Sequence, residues 1–303
     1  MAKPLPKEDF RSMRIVLEPH DFAWGSENPE RPPKDLILKE TWKEIVSLPD
    51  DVAIRTSNNY GQILKELSEF QYQLLDVLSA VREIAKKAGA DVNKSPICHV
   101  VFFAYEDLQA SIYNALTGYY RIAFSALRNV LENFTVGLHL ELLADSAQFE
   151  IWFKGNHSSR DFLFGWGADN LPQHKSVSDL EEQLTKSAGD NFFRQRSPVD
   201  PGGFVRRLFG QFSKYVHGKP GCSHGDIWGS NGPVFVPDSL IDWAINFVQV
   251  YSFCLIACRL AYPSLNKLGA RETLEGLFIQ ATQRLTVEND GKKLYESLPG
   301  GFW

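Results

Sequence analysis

The chain is 303 residues long, 44% hydrophobic and 23% charged, proportions that exclude a disordered or fibrous polymer and fit one large globular domain or two small ones. A net charge of -5 and a pI near 5.8 exclude a globally basic nucleic-acid coat, so any polyanion site must be a local patch. Four cysteines, Cys98, Cys222, Cys254 and Cys258, with no C-x-x-C pair, exclude a disulfide scaffold and a zinc ribbon.

Met1 to Arg14 carries Lys3, Lys7 and two prolines but no apolar run of the kind a signal peptide needs, so a cytoplasmic location is expected. The first fifty residues hold seven of the sixteen prolines, with Ile15 to Leu17 as their only strand-like apolar patch, and residues 1–56 read as an N-terminal extension. From Ser57 the character changes. Ile63, Leu67, Phe70, Leu74, Val77, Val81 and Ile84 recur at steps of three and four and predict a long amphipathic helix ending near Gly89. A second helix is expected from about Ile97 to Leu116, and Gly118 divides it from a third, Tyr119 to about Leu143. Connections this short set consecutive helices antiparallel.

The third helix carries two stripes. Ala123, Leu127, Val130, Phe134 and Leu138 form an apolar one, and Ser125, Arg128, Glu132, Thr135 and His139 repeat beside it. The polar stripe is either a solvated face with an i,i+4 Arg128/Glu132 pair or an inward-facing polar site. Next comes a connection containing Trp152, Gly155, Trp166 and Gly167, then a helix that the pattern Ser178 to Glu181 would open as a capping box and Gly189 would close. Phe204, Val205, Leu208, Phe212 and Tyr215 predict an amphipathic helix ending at His217-Gly218, and a Gly/Pro-rich loop runs from Gly218 to Pro237, with Val234 to Val236 strand-like. Asp238 is expected to cap a very apolar helix that Pro263 stops. Asp242, Asn246, Gln249 and Arg259 interrupt the apolar run Leu240 to Tyr262 at helical spacing, so it reads as a core helix, with no membrane span. Leu274, Leu277, Phe278, Ala281 and Leu285 suggest a last amphipathic helix in residues 264–303.

Classical nucleotide and hydrolase signatures are missing: Lys219 is followed by Pro220, and there is neither G-x-S-x-G nor a strand-led G-x-G-x-x-G. His217, Cys222 and His224 are three zinc-type ligands without a fourth at ligand spacing, so neither metal nor cofactor is expected. Cys254 and Cys258 share one face of the apolar helix, where free cysteine serves as a small hydrophobe. Between Asn191 and Lys219 the charge reverses locally: Arg194, Arg196, Arg206, Arg207, Lys214 and Lys219 stand against Asp200 alone. Such a stretch either steers a phosphate backbone, with Phe212 and Tyr215 stacking nearby, or is a solvated face whose aromatics point into the core.

The run Tyr119-Tyr120-Arg121-Ile122-Ala123-Phe124-Ser125-Ala126-Leu127-Arg128-Asn129-Val130-Leu131-Glu132, taken with Phe212-Ser213-Lys214-Tyr215-Val216-His217-Gly218, resembles the HEPN-like superfamily (higher eukaryote and prokaryote nucleotide-binding domains). The resemblance covers roughly residues 57–263 as helix order. It implies an all-α antiparallel bundle, frequently homodimeric, and for bacterial members a role in defence or stress response as metal-independent RNases. In that family an Arg precedes the catalytic His with four to six residues between them, so that the His takes the ribose 2'-hydroxyl proton while the Arg holds the phosphate. In this chain Gly210, Gln211 and Phe212 occupy those positions. The RNase expectation therefore takes Arg128 as the cation beside His217 and Glu132.

The expectations are then an all-α bundle that binds RNA or a nucleotide near His217, with Arg206, Arg207, Lys214, Tyr215 and Lys219 as contacts. The alternatives are a metal-independent RNase using Arg128 and His217, and a non-catalytic scaffold or homodimer whose Gly218 to Pro237 loop meets a protein partner.

Overall fold

The computed structural model describes residues 43–155, 162–188, 191–195, 202–216 and 233–267. The chain divides into two units, Met1–Leu48 and Pro49–Trp303. Of the first, only the end is described, where a π-helical turn spans Lys43–Ser47. The strand-like Ile15 to Leu17 and the expected helix through Leu274 to Leu285 lie outside the described residues.

The second unit is all-α. Among the described residues it contains eight α-helices and no strand: α1 Leu48–Lys87, α2 Pro96–Leu116, α3 Tyr120–Leu143, α4 Ser146–Phe153, α5 Phe164–Asn170, α6 Lys175–Ala188, α7 Phe204–Val216 and α8 Pro237–Ala261. The long periodic segments form helices where their apolar spacing predicts, and most of the differences fall at their ends. α1 starts ahead of Ser57, with Val52 and Thr56 buried one turn apart, and is broken at Tyr60, whose backbone is non-helical (φ -135°, ψ 16°). Ser95 caps α2 by accepting from the Cys98 amide, and Pro96 fills the first helical position. α6 begins at Lys175, ahead of Ser178, so the S-x-x-E pattern is not its capping box. α8 begins at Pro237 with Val236 as its N-cap. Asp238 is thus inside the first turn, where its charge complements the helix dipole rather than capping an amide. The Trp- and Gly-containing connection is partly helical, holding the short α4 and α5, and Val234 to Val236 form no strand.

Side-chain contacts fix the helix directions. α2 and α3 are antiparallel: Ser111 Oγ donates to the Ala123 carbonyl, Gly137 packs on Val100, and at the far end Ser95 bonds Glu141. α7 is antiparallel to α3, Phe124 facing Tyr215 while Arg128 faces Phe209. α8 runs parallel to α3, since Val236 meets Tyr120, Phe253 meets Phe134 and Tyr262 meets Glu141 in order along both helices. Because α7 returns the chain to the end from which α3 starts, α8 can add to the bundle only in α3's own direction.

α8 is the core helix. It is long and apolar enough to cross a membrane, yet 78% of its most apolar window is buried inside the fold. Trp243, Phe247, Tyr251 and Phe253 are fully buried; Tyr251 stacks on Phe70, and the Trp243 indole donates to Ser111 Oγ at 2.9 Å. Cys254 and Cys258 lie in the same interior, where burial pushes both thiols up and keeps them protonated, as apolar packing requires. At the end of the bundle Glu141 accepts from the Tyr262 hydroxyl (2.6 Å), the Ser95 hydroxyl (2.8 Å) and the Ile97 amide (3.0 Å). One carboxylate thereby ties together α2, α3 and the end of α8.

The turn between α2 and α3 depends on one glycine. Gly118 has φ +82°, and a Cβ there would stand 2.5 Å from the Val234 carbonyl oxygen and 2.6 Å from its amide nitrogen, both backbone atoms that cannot swing away. Gly118→Ala is expected to lower unfolding free energy by about 2 kcal/mol, from left-handed strain plus displacement of the segment leading into α8. A urea titration checks this, and an unchanged midpoint would show that Val234 is not held there.

Candidate functional site

The polar stripe of α3 is neither wholly solvated nor wholly internal; it runs along the seam where α5 and α7 cover the helix. Near its start Ser125 Oγ donates to the Arg121 carbonyl within the helix. The Arg128 guanidinium lies over the Phe209 ring of α7, 4.7 Å from its centroid, and Phe209 stacks face to face on Phe164 of α5, centroids 3.8 Å apart. Arg128 reaches Glu132 only at 3.9 Å, while the other Glu132 oxygen accepts from the Phe164 amide at 3.3 Å. Arg128 Nε is buried with no hydrogen-bond partner among the described residues. The cation-π contact, worth about 1 kcal/mol, holds the guanidinium more than so long an ion pair does.

His217 lies outside the described residues, as do Arg196, Lys219, Cys222 and His224. The described ends of the loop that carries most of them can nevertheless be placed. Tyr215, in the last turn of α7, stacks on Phe124 (centroids 4.1 Å apart, planes 11° apart). On the returning side, the Val236 amide donates to the Tyr120 hydroxyl at 3.2 Å, and Val234 lies against Gly118. Departure and return therefore both sit at the N-terminal end of α3, which starts without a side-chain cap. Arg128 is at a different level: its partner Phe209 is seven residues before the end of α7 at Val216, about 10 Å along a helix.

The basic stretch is largely engaged with its own chain. Arg206 donates from Nη2 to Asp169 and from Nε to the Phe193 carbonyl (2.5 Å). Arg207 donates to the Gly202 carbonyl at 3.0 Å, and Arg194 to Ser178 Oγ at 3.1 Å. Tyr215 and Phe212 are buried, so their rings pack in the core and are not presented to a ligand. Lys214 is exposed on α7, and Arg121 is exposed in the first turn of α3.

Glu181 explains how α7 is set in place. Its carboxylate is 1% exposed and accepts from three successive amides, those of Phe192 (2.9 Å), Phe193 (2.6 Å) and Arg194 (3.0 Å). The carbonyls of the same segment then serve α7: Asn191 and Phe192 accept from the amides of Phe204 and Val205 at 2.8 and 3.0 Å, two of the donors that a helix start leaves free. Gly203 allows this approach, since a Cβ there would stand 2.5 Å from Phe192 backbone atoms.

At the far end of the stripe, His139 is buried and its Nδ1 lies 3.0 Å from Nε2 of His174. Trp166 of α5 stands edge-on to His139, centroids 4.5 Å apart. Together with Gln148, Asn170 and Gln173 they line an open pocket of about 430 Å³. The two imidazole centroids are 5.1 Å apart, close to the in-line extension of the hydrogen bond, so the two nitrogens point at each other and do not converge on a shared ion. Among the described residues no group of three or more His, Cys, Asp or Glu is placed to hold a metal. Burial holds both imidazoles below the ordinary histidine range, His139 at about 4. The stripe flagged His139 in the sequence. His174, 35 positions away, belongs to no motif, and only the fold brings it there.

Compared with protein-family models, curated proteins and solved structures, the chain matches none.

Proposed function

We propose that the protein is a HEPN-like helical module of a defence or stress-response system that binds RNA or a nucleotide at the N-terminal end of α3, where the loop bearing His217 departs and returns. The observation that carries this reading is the double anchorage of the loop: Tyr215 on Phe124 at one end, Val236 on Tyr120 at the other. The described ends on either side of the segment that carries His217 and Lys219 meet an uncapped helix start, and Arg121 in its first turn and Lys214 on α7 are exposed. A helix N-terminus and two exposed cations favour a phosphate group. Arg206 and Arg207, already bonded within the chain, serve in this reading to hold α7 and not the ligand.

Fluorescence anisotropy with a single-stranded oligoribonucleotide tests the reading. Affinity is expected to fall with rising salt, and Lys214→Glu, Arg121→Glu and His217→Ala are each expected to weaken binding about tenfold or more with unchanged melting temperature. No binding at low salt, or binding indifferent to all three changes, would overturn it. Cleavage of the same RNA in EDTA, abolished in His217→Ala, would make the module an RNase. In that case the level of Arg128 along α7 favours Arg121 or Lys214 over Arg128 as the phosphate partner.

A second reading, a homodimer or protein-binding scaffold, is favoured by a different observation. Phe102, Phe103 and Phe153 are 48%, 38% and 52% exposed; Phe153 packs on His99 at 4.7 Å, Phe103 lies 6.5 Å from the same ring, and Phe102 stands edge-on to Phe103. Aromatic clusters of this kind are enriched at interfaces. Light scattering on the full chain and on Phe103→Glu distinguishes a dimer through this patch from a monomer.

A further inference from the structure

The pocket between α3, α4 and α5 is separate from the proposed RNA site, and its chemistry is different. None of its lining side chains is Asp, Glu, Lys or Arg, and both imidazoles are neutral at pH 7 because burial lowers them. A phosphate or a free cation would find no counter-charge there. The walls offer flat surfaces and neutral hydrogen-bonding groups: the Trp166 indole, two imidazoles, and the carboxamides of Gln148, Asn170 and Gln173. Asn170 is committed to the Trp166 carbonyl (2.8 Å) and receives Gln173 (3.2 Å). The Gln148 carboxamide has no partner among the described residues.

The imidazole pair adds a specific property. Two neutral imidazoles joined by one N–H···N bond leave two outer nitrogens, His139 Nε2 and His174 Nδ1. If His139 donates the bridging proton, its outer nitrogen is an acceptor and that of His174 a donor; if His174 donates, the roles exchange. Either way one outer nitrogen is a donor and the other an acceptor; because the bridging bond is nearly in line they point away from each other, so one ligand edge meets one of them, and moving the shared proton with its outer partners switches that nitrogen between donor and acceptor without creating charge. Both imidazoles line the pocket.

The fold also places these walls closely. Gly167 sits so near Thr135 that a Cβ would meet its carbonyl oxygen at 3.0 Å, drawing α5 onto α3. Phe162, a bulky residue in the left-handed region at φ 61°, holds its ring edgewise against Trp166, centroids 4.9 Å apart. Backbone strain of this kind is concentrated at functional sites.

We propose that this pocket binds an uncharged heteroaromatic ring through an edge bearing one hydrogen-bond donor and one acceptor, the edge a nucleobase presents, with one outer nitrogen of the His139–His174 pair and the Gln148 carboxamide as its partners and Trp166 as its wall. The volume suits a single small molecule. The base can come from a free nucleoside or from a nucleotide of an RNA strand.

The experiment is an NMR titration of the full chain, following the imidazole nitrogen signals of His139 and His174, with uridine, guanosine and inorganic phosphate as separate probes. A saturable change with a nucleoside and none with phosphate is expected. Gln148→Ala and His174→Ala should each weaken the nucleoside about tenfold or more with unchanged melting temperature. Should His174→Ala fail to fold, Gln148→Ala, at a half-buried position on the short α4, decides the matter. If a single-stranded oligoribonucleotide competes with the nucleoside, the base is read within RNA; if it does not compete, the free nucleoside is the ligand, and both results support the pocket. Lys214→Glu should leave nucleoside binding intact, which separates this site from the one at the start of α3. The inference is overturned if neither nucleoside saturates at millimolar concentration, if phosphate moves the imidazole signals, or if both variants bind as the unaltered protein does.

Discussion

Glu181→Ala is expected to cost roughly 3–5 kcal/mol of stability, the largest effect of any single change considered. The carboxylate is buried and satisfies three consecutive amides. Removing it leaves those donors in an interior that holds the rings of Phe192 and Phe193, both fully buried, and water has little space to replace it. The damage should spread, because the same segment supplies the carbonyls that receive the first amides of α7. Glu181→Gln should recover part of the loss, since its carbonyl oxygen can still accept while its NH2 faces amides and cannot. Chemical denaturation measures both variants, and hydrogen exchange should show the first turn of α7 opening well before α8. If Glu181→Ala loses less than 1 kcal/mol, or α7 exchanges as before, the carboxylate does not organise this region.

The second large effect is a loss of stability in mild acid. His139 has a folded-state pKa of about 4, lowered first by burial and then by the neighbouring His174, against an ordinary value near 6.5 in the unfolded chain. Above pH 6.5 both states carry the neutral imidazole and the fold is at full strength. Between about pH 6.5 and 4 the unfolded chain takes up a proton that the folded chain refuses, so stability falls with pH, by about 3 kcal/mol over that window. His174, also lowered by burial, acts in the same direction. Asp107 opposes them: burial pushes its carboxyl up to about 6, so the folded state gains a proton before the unfolded one and is favoured as pH falls. The informative quantity is therefore the difference between the unaltered protein and His139→Phe, which keeps a ring against Trp166 and removes the titration. The variant should show a shallower decline between pH 6.5 and 4. Equal slopes, or an NMR titration of His139 near 6.5, would contradict the buried pair.

Much of this architecture was legible in apolar spacing. α1, α2 and α7 each bury a stripe that repeats every three or four residues, and that periodicity survives whatever the helices pack against; α8 and the second half of α3 are buried on all sides, and α8 was legible as a nearly continuous apolar run. What the sequence could not reveal are the features in which a residue answers to a distant one. Glu181 sits in a pattern that locally means a helix start, yet its partners are 11–13 residues further on, beyond any local motif. α4 and α5 are too short for a periodic signal. Tyr60 breaks α1 in a segment where Val52 and Thr56 continue the buried stripe toward the N-terminus, and its ring tilts against Phe235, centroids 6.1 Å apart, a partner that no local pattern could supply. In the candidate site, the polar stripe of α3 singled out Arg128, Glu132 and His139, which the fold places along the seam that α5 and α7 cover. It did not say that α7 would meet Arg128 with Phe209 in place of a polar group, nor that His174 would close on His139.

The parallel course of α8 beside α3 bears on how the chain is made. α2 and α3 can associate as soon as they are synthesised, since their contacts are between neighbours along the chain, and α1 reaches α2 through Gln71 and Tyr72 at Tyr105. The residues that complete their interior are supplied by α8: Phe70 awaits Tyr251, Phe134 awaits Phe253, and Ser111 awaits Trp243. Until Pro237–Ala261 has emerged from the ribosome, the nascent protein therefore holds a trough of aromatic side chains open to water. That interval is when it most needs a chaperone or is most exposed to aggregation.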